Sequence, residues 1–468
     1  VAASRSTDTR HVVIIGAGCA GLAAGVRLAS HGVRVTVVEE APRLGGRASA
    51  FTDRESGARL DNGQHALFGC YRETYEFLQV IGTAHLAPLD PTLTLSMANA
   101  GGREFTLTCP KWPTPLDLLG GVLSWKAVSF LDRLAALRLA GLLWRVRRDG
   151  AAAAAALAPG HLTVSEWLRQ QGQPASLCEW LWHPLAYAAL NQDPSVAAAQ
   201  PFVRVVAELF GSAPGASSLG IPTVPLDELY AEPAARYIEA HGGAVRRRVS
   251  ARVQLSAPGA QHRVWIGDEE ARADVVISAV PWHALGRLWA DGPPDALATT
   301  LADAARLASA PIVTVNLWFD RPVMTTRQLG MVGTSFHWAF QKDVGCLFAE
   351  TDTFREKDTR RLFLYSLVAS GADGLLRRSH EDLAALAERE LRACVPGSRA
   401  AVCQRSLVVR ESRATFSLAP EAPPRPPTET PMPGFFLAGD WTDTGLPGTI
   451  EGAVLSGHRA ADAAMIVL

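Results

Sequence analysis

Hydrophobic positions near the start of the chain change their period twice within about thirty residues, a βαβ signature. His11 to Ile15 is a short apolar run that predicts a buried strand, Leu22 to Ser30 a small-residue helix, and Arg34 to Glu39 a second buried strand. Glycines mark both junctions: Gly16 to Gly21 form a turn, and Gly32 ends the helix. From about 86 to 234 the apolar residues recur at helical spacing, with Trp at 112, 125, 144, 167, 180 and 182 and an alanine run from Ala151 to Ala156. Between Ala244 and Pro281 short strands return in RRRVSARVQL, HRVWIG and ADVVISAVP. IVTVNLWF, SFHWAFQK and RLFLYSLVA then predict strands of one further sheet, and HEDLAALAERELRACV an amphipathic helix. PEAPPRPPTETPMP is a stiff connector. It leads into the strand FFLAGD, a loop, and a small-residue helix from about Thr449 to Met465.

Composition narrows the classes of function. At roughly 150 residues per domain, 468 residues predict two or three domains, with a core large enough to need no staples. A net charge of -1 lacks the basic footprint of a nucleic-acid binder. No apolar run reaches the length of about 18 residues that a membrane-spanning helix needs. The seven cysteines (Cys19, Cys70, Cys109, Cys178, Cys346, Cys394, Cys403) are scattered without CxxC, so neither a disulfide framework nor a metal site is expected. VAASRSTDTR lacks the apolar centre of a signal peptide, which makes a cytoplasmic, reduced protein the expectation.

The glycine turn carries the first chemistry. Gly16, Gly18 and Gly21 form G-x-G-x-x-G, with a tight turn, a close approach for a pyrophosphate, and close helix–strand packing. The helix that starts there offers free N–H groups and a positive dipole end. Glu39 ends the second strand, where an acid accepts from a ribose 2′-OH and disfavours the 2′-phosphate of NADP. Arg43-Leu44-Gly45-Gly46-Arg47 adds a cation on close-approach glycines, suited to a diphosphate. Near the far end, FLAGDW and GLPGTIEGAVLSG place Gly439 and Asp440 at a strand end, and Thr449 and Ile450 at a helix start. Asp440 can accept from a ribityl hydroxyl. The N–H groups at the helix start can stabilise negative charge at the pyrimidine edge of a reduced flavin.

These two segments together resemble the FAD-dependent amine oxidase and phytoene desaturase superfamily, whose plan covers nearly the whole chain. More narrowly, residues 60–82, 183–202 and 217–238 resemble the squalene-associated FAD-dependent desaturases, the hydroxysqualene dehydroxylases of hopanoid biosynthesis. The resemblance implies an α/β (α+β overall) fold: a Rossmann-like FAD-binding domain of the amine-oxidase type with a discontinuous helix/sheet substrate domain. The FAD-binding domain would comprise 1–85, 235–300 and 405–468, and the substrate domain 86–234 and 301–404. By the same resemblance Gly16, Gly18, Gly21, Glu39, Gly46 and Arg47 would hold the ADP half of FAD, and Val253 would meet the adenine through its backbone. Gly63, Gln64 and His65 would lie along the isoalloxazine, and Gly439, Asp440, Thr449 and Ile450 along the ribityl chain and pyrimidine. Gly448 departs from the alanine of many relatives and is expected to be neutral.

The implied activity is reductive dehydroxylation of hydroxysqualene to squalene, with hydride from reduced flavin N5 and a proton to the departing hydroxyl. His65 is the first candidate donor, set against a purely structural histidine; Asp443 is the second, and a bound water the third. GSAPGASSLG (211–220) lacks the flanking strand and helix of a second dinucleotide motif, so a separate electron donor is expected. Many amine oxidases hold a lysine near flavin N5. Here Thr314 falls at that position and none of the four lysines lies within 25 residues, which disfavours amine oxidation. The alternatives are a carotenoid-type desaturase and a non-catalytic scaffold for lipid or prenylated ligands. Residues 112–148, closed by Arg145, Arg147 and Arg148, read either as a peripheral contact with the inner face of the cytoplasmic membrane or as a core helix pair. The tryptophans read as packing or as cation–π partners, and Arg246, Arg247 and Arg248 as a solvated face.

Overall fold

The computed structural model describes residues 10–113, 115–209, 215–342, 347–348 and 360–468. Residues 1–9, residues 211–214 of the glycine-rich stretch, and Cys346 lie outside the described residues. In chain order the first elements are β1 (His11–Ile15), α1 (Cys19–Ser30), β2 (Arg34–Glu39), α2 (Arg72–Val80), β3 (Thr94–Asn99) and β4 (Glu104–Thr108). A helical stretch follows: α3 (Leu116–Ser124), α4 (Phe130–Asp149), α5 (Ala151–Leu157), α6 (Val164–Gln170), α7 (His183–Leu190), α8 (Ala199–Leu209) and α9 (Glu232–Ala240). Strands return as β5 (Ala244–Arg247), β6 (Ala251–Gln254), β7 (His262–Ile266), β8 (Glu269–Ala273) and β9 (Val275–Ser278). The chain continues with α10 (Ala298–Arg306), β10 (Ser309–Phe319), β11 (Gln328–Val332), β12 (Trp338–Lys342) and β13 (Phe363–Ser370). Its last elements are α11 (His380–Cys394), β14 (Cys403–Phe416), β15 (Phe435–Leu437) and α12 (Ile450–Val467).

A five-stranded, wholly parallel sheet in the order β15-β9-β1-β2-β5 gathers strands from three distant parts of the chain. Its strands β1 and β9 are buried almost throughout, as a sheet covered on both faces requires. α1 packs against α12 at backbone distance: a Cβ added to Gly457 would fall 2.2 Å from the Ala20 carbonyl oxygen. α1 begins at Cys19, three residues before the expected start, because the extended backbone of Gly18 serves as its N-cap. A second, seven-stranded mixed sheet runs β14-β10-β13-β12-β11-β3-β4. It contains the three strands expected to share a sheet. β14 pairs along β10 from Cys403 to Phe416 and so crosses the expected boundary at 404/405; residues 405–416 belong to the seven-stranded sheet. The alternation in CQRSLVVRESRATF carries no turn signal at that point, so the strand continues. β6, β7 and β8 form a small antiparallel sheet beside the parallel one.

The helical middle has its own core. Leu139, Leu143 and Val146 form the buried stripe of α4, and Trp167 meets Phe202 edge-on with centroids 6.4 Å apart. The tryptophans divide by environment. Trp167 is packed, with its N–H donating to Leu157 O at 3.1 Å, whereas Trp112 and Trp144 are exposed. No helix among the described residues is long and apolar enough to cross a membrane.

Candidate functional site

One cavity of about 1250 Å³ runs from the glycine turn after β1 to the helical middle of the chain. At its first end, Gly16 has φ +107°, and an added Cβ would fall 2.7 Å from Ala279 O. At Gly21 the corresponding distance to Gly16 O is 2.0 Å. Both positions are closed to any side chain. Gly18 differs: a Cβ there meets nothing nearer than Gly46 Cα at 4.0 Å, so the space it leaves is open to the cavity. Such a cradle at a helix N-terminus fits a pyrophosphate. The Glu39 carboxylate is oriented by two N–H donors, Ala17 at 2.8 Å and Ala41 at 2.9 Å, and lines the cavity with lone pairs left for a ribose. The Gly45-Gly46 turn is stitched to the first turn, because Gly45 N–H donates to Ala17 O at 2.9 Å. Gly46, at φ +59°, lies against Gly18.

Arg47 and Asp440 come from segments 393 residues apart and are paired directly in the cavity wall. The guanidinium also donates to Ala414 O at 2.9 Å and stands 5.2 Å from the centre of the Trp282 ring. Burial would lower the Arg47 pKa, but Asp440 more than offsets that and holds the cation charged. Gly439, at φ +141°, donates its N–H to Ser456 Oγ at 2.7 Å. Thr449 caps α12, with Oγ1 accepting from Gly452 N–H at 3.1 Å, and its own N–H is turned to Pro447 O. The helix donors left without an intrahelical acceptor are therefore those of Ile450 and Glu451. The sequence reading missed Glu451. Its carboxylate, pushed up by burial, accepts from Glu73 N–H, Thr74 N–H and Thr74 Oγ and locks α2 onto α12.

Gly63, Gln64 and His65 all line the cavity. His65 Nδ1 lies 2.9 Å from Gly63 O, and a carbonyl only accepts, so Nδ1 carries the proton and Nε2 is an acceptor in the neutral ring. Burial lowers the His65 pKa, with Asp61 opposing and Lys342 adding to the shift. Thr314 sits behind Gly63: its buried Oγ1 would be 3.8 Å from a Cβ there and has no hydrogen-bond partner among the described residues. Lys342, 28 residues further on, returns to this segment through the fold and holds Asp61 at 3.1 Å. It does not line the cavity.

Two expected residues fall elsewhere. Val253 does not line the cavity; its side chain is buried in the core, its N–H donates to Leu288 O and its C=O accepts from Ala290 N–H. Val249, Ser250, Ala251 and Arg252, immediately before it, line the cavity instead. Asp443 faces outward with its side chain 66% exposed, 3.8 Å from Arg425. The loop buries Trp441 and Thr442 and so turns Asp443 to the surface, away from any reacting group. Arg247 and Arg248 are exposed, as a solvated face requires, and Arg246 and Arg247 pair at the surface with Glu269 and Glu232. One smaller expectation changes. An alanine at Gly448 would bring its Cβ 3.0 Å from Thr415, which is tight rather than neutral.

The far end of the cavity is apolar. Trp125, Trp180, Trp182, Leu185, Trp338 and Phe340 form much of its wall, with Trp125 and Trp180 edge to face at 6.3 Å. This geometry joins a nucleotide cradle, the Gly63–His65 segment and an apolar chamber in one continuous cavity.

Residues 19–465 match the family model described as flavin containing amine oxidoreductase. The chain is 30% identical to the hydroxysqualene dehydroxylase of Sinorhizobium fredii over 97% of this chain and 98% of that one. It is 27% identical to a probable zeta-carotene desaturase of Synechococcus elongatus, again over 97% and 98%. A solved oxidoreductase from Methanosarcina mazei superposes with a TM-score of 0.70 at 17% identity, covering 97% of this chain and all of that one. At that identity the likeness is one of fold.

Proposed function

The chain belongs to the flavin containing amine oxidoreductase family and is an FAD-dependent oxidoreductase, and we propose that it removes the hydroxyl of hydroxysqualene to give squalene. The observation that carries this reading is that the flavin cradle, Gly63–His65 and the Trp-lined chamber share one continuous cavity. The similarity to hydroxysqualene dehydroxylases supports it.

The residues present fit FAD. The open space at Gly18, the oriented Glu39 carboxylate, Arg47 with Asp440, and the free N–H donors at Ile450 and Glu451 match a diphosphate, a ribose, a ribityl chain and a pyrimidine edge. Reduced FAD bound there supplies a hydride. The exchange breaks one C–O bond and forms one C–H bond, with the hydroxyl and a proton leaving as water. The chamber excludes water from the electron-deficient carbon, and its wall binds the isoprenoid tails by burial alone, worth about 25 cal/mol per Å². His65 is the proton-handling group in this reading. At neutral pH it is an acceptor at Nε2, and Nε2 becomes a donor only in the imidazolium. Electrons come from a separate donor.

Anaerobic mixing of the reduced protein with hydroxysqualene tests the reading: flavin reoxidation should accompany squalene, identified by mass spectrometry. Turnover of a long polyene by the oxidised protein, with no squalene from the reduced one, would assign the reverse chemistry of the carotene desaturases instead.

A further inference from the structure

Six of the twelve exposed large apolar side chains among the described residues lie between Trp112 and Trp144. Phe130, Leu131 and Leu134 lie on the first turns of α4, just past the elbow where α3 turns into α4, and Trp112 and Leu116 lie at the start of α3. The turn is fixed. Arg133 donates from the first turns of α4 to Leu123 O at the end of α3 at 2.6 Å, and Ser129 caps α4. The Trp112 ring lies against α3 at Gly120, where a Cβ would come within 2.7 Å of it. Exposure is high: 58% at Trp112, 54% at Leu116, 59% at Phe130 and 76% at Leu131. Along the outward stripe of α4, Leu131 and Leu134 are followed by Arg138 and Arg145, and the exposed Trp144 at the far end lies under Arg148 at 5.1 Å.

The charges around the elbow favour an anionic surface. Lys126 is exposed in the elbow and Lys111 next to Trp112, Arg133 stands over Phe130 at 5.5 Å, and these three cations outnumber the ionised carboxylate of Asp132, which accepts from Ser176 at 2.8 Å. Arg145, Arg147 and Arg148, expected to meet headgroups, lie at the opposite end of α4. On the inner side of the same two helices, Leu119, Val122 and Leu137 line the chamber. One layer of helix therefore separates the exposed apolar residues from the hydrocarbon site.

We propose that the outer face of α3 and the first turns of α4 seat on an anionic lipid bilayer, with Phe130, Leu131, Leu116 and Trp112 entering the acyl boundary and Lys111 and Lys126 at the headgroups. Resting on the isoprenoid-substrate reading, the proposal also makes this elbow the route by which substrate leaves the bilayer for the chamber.

Flotation of the FAD-loaded protein with phosphatidylcholine vesicles, with and without phosphatidylglycerol, tests the docking without any substrate. The protein should float with the phosphatidylglycerol vesicles, and salt should weaken the association. Phe130→Asp with Leu131→Asp should reduce binding by about tenfold or more, with bound FAD and melting temperature unchanged. Lys111→Gln with Lys126→Gln should reduce it only on the anionic vesicles. Absence of flotation by the unaltered protein, or equal flotation by the aspartate variant, would overturn the docking. So would a dimer that the aspartate variant converts to monomer, because the patch would then cover a second copy. For the route, the aspartate variant should lose kcat/KM on vesicle-borne hydroxysqualene and keep it in detergent. An equal loss in both would overturn the route while leaving the docking intact.

Discussion

The two ends of the cavity are built by different means. The nucleotide end is made of backbone: glycines with no room for a Cβ, helix N-termini, and carboxylates aimed by N–H donors. The chamber end is made of apolar side chains that meet at van der Waals distance, with nothing directional required of most of them. A backbone site tolerates almost no substitution, whereas an apolar wall tolerates any residue of similar volume. Change at the first end should therefore abolish function, and change at the second should tune it.

The sharpest way to break that contrast is Gly21→Ala. The new Cβ has backbone 2.0 Å away, so the β1–α1 turn must open. Loss of flavin absorbance in the purified protein is expected, with a stability cost of about 3 kcal/mol in thermal unfolding. A yellow, stable variant would show that the turn has slack. Next in size is His65→Gln. If the imidazolium donates the proton, turnover should fall by about a hundredfold. The sign of the pH dependence follows from the shift: burial holds the His65 pKa below 6.5, so the charged form, and with it kcat/KM, should rise as pH falls below that value. A profile that is flat there, and the same in the glutamine variant, would transfer the role to a bound water. Asp440→Ala should be smaller, at about 2 kcal/mol with FAD lost on gel filtration, because Arg47 keeps some contact with solvent when its partner is gone. The smallest effect is expected in the chamber. Leu185→Met should cost less than about 1.5 kcal/mol and shift KM by a few-fold in steady-state assays. A chamber substitution as damaging as Gly21→Ala would erase the distinction between the two ends.

The same contrast governs what could be read from the chain. Gly16, Gly18 and Gly21 are legible because a tight turn constrains residues a few positions apart, and such constraints survive in one dimension. Glu39 is legible because a strand of known length fixes where its end must fall. Val253 was misplaced because its backbone is taken up by Leu288 and Ala290, some 35 residues away, and the cavity is met instead by the consecutive residues 249–252 just before it. Asp443 was misread because burying Trp441 and Thr442 decides which way the next side chain turns. Lys342 looked remote from Thr314 by sequence distance, yet the pairing of β12 with β13 returns it to Asp61. Glu451 gave no signal at all, since a carboxylate at a helix start ordinarily reads as a dipole complement.

The pairing of Arg47 with Asp440 has a consequence for how the protein assembles. The two residues are separated by 393 positions, so their contact closes nearly the longest loop the chain offers. Contacts of such high order form late and slowly, after local helices and hairpins are in place. Until β15 and α12 dock beside β9 and α1, there is a dinucleotide turn with only half a flavin site. FAD binds only where these segments have docked, so cofactor supply should hold the two ends of the chain together and stabilise the native state by mass action.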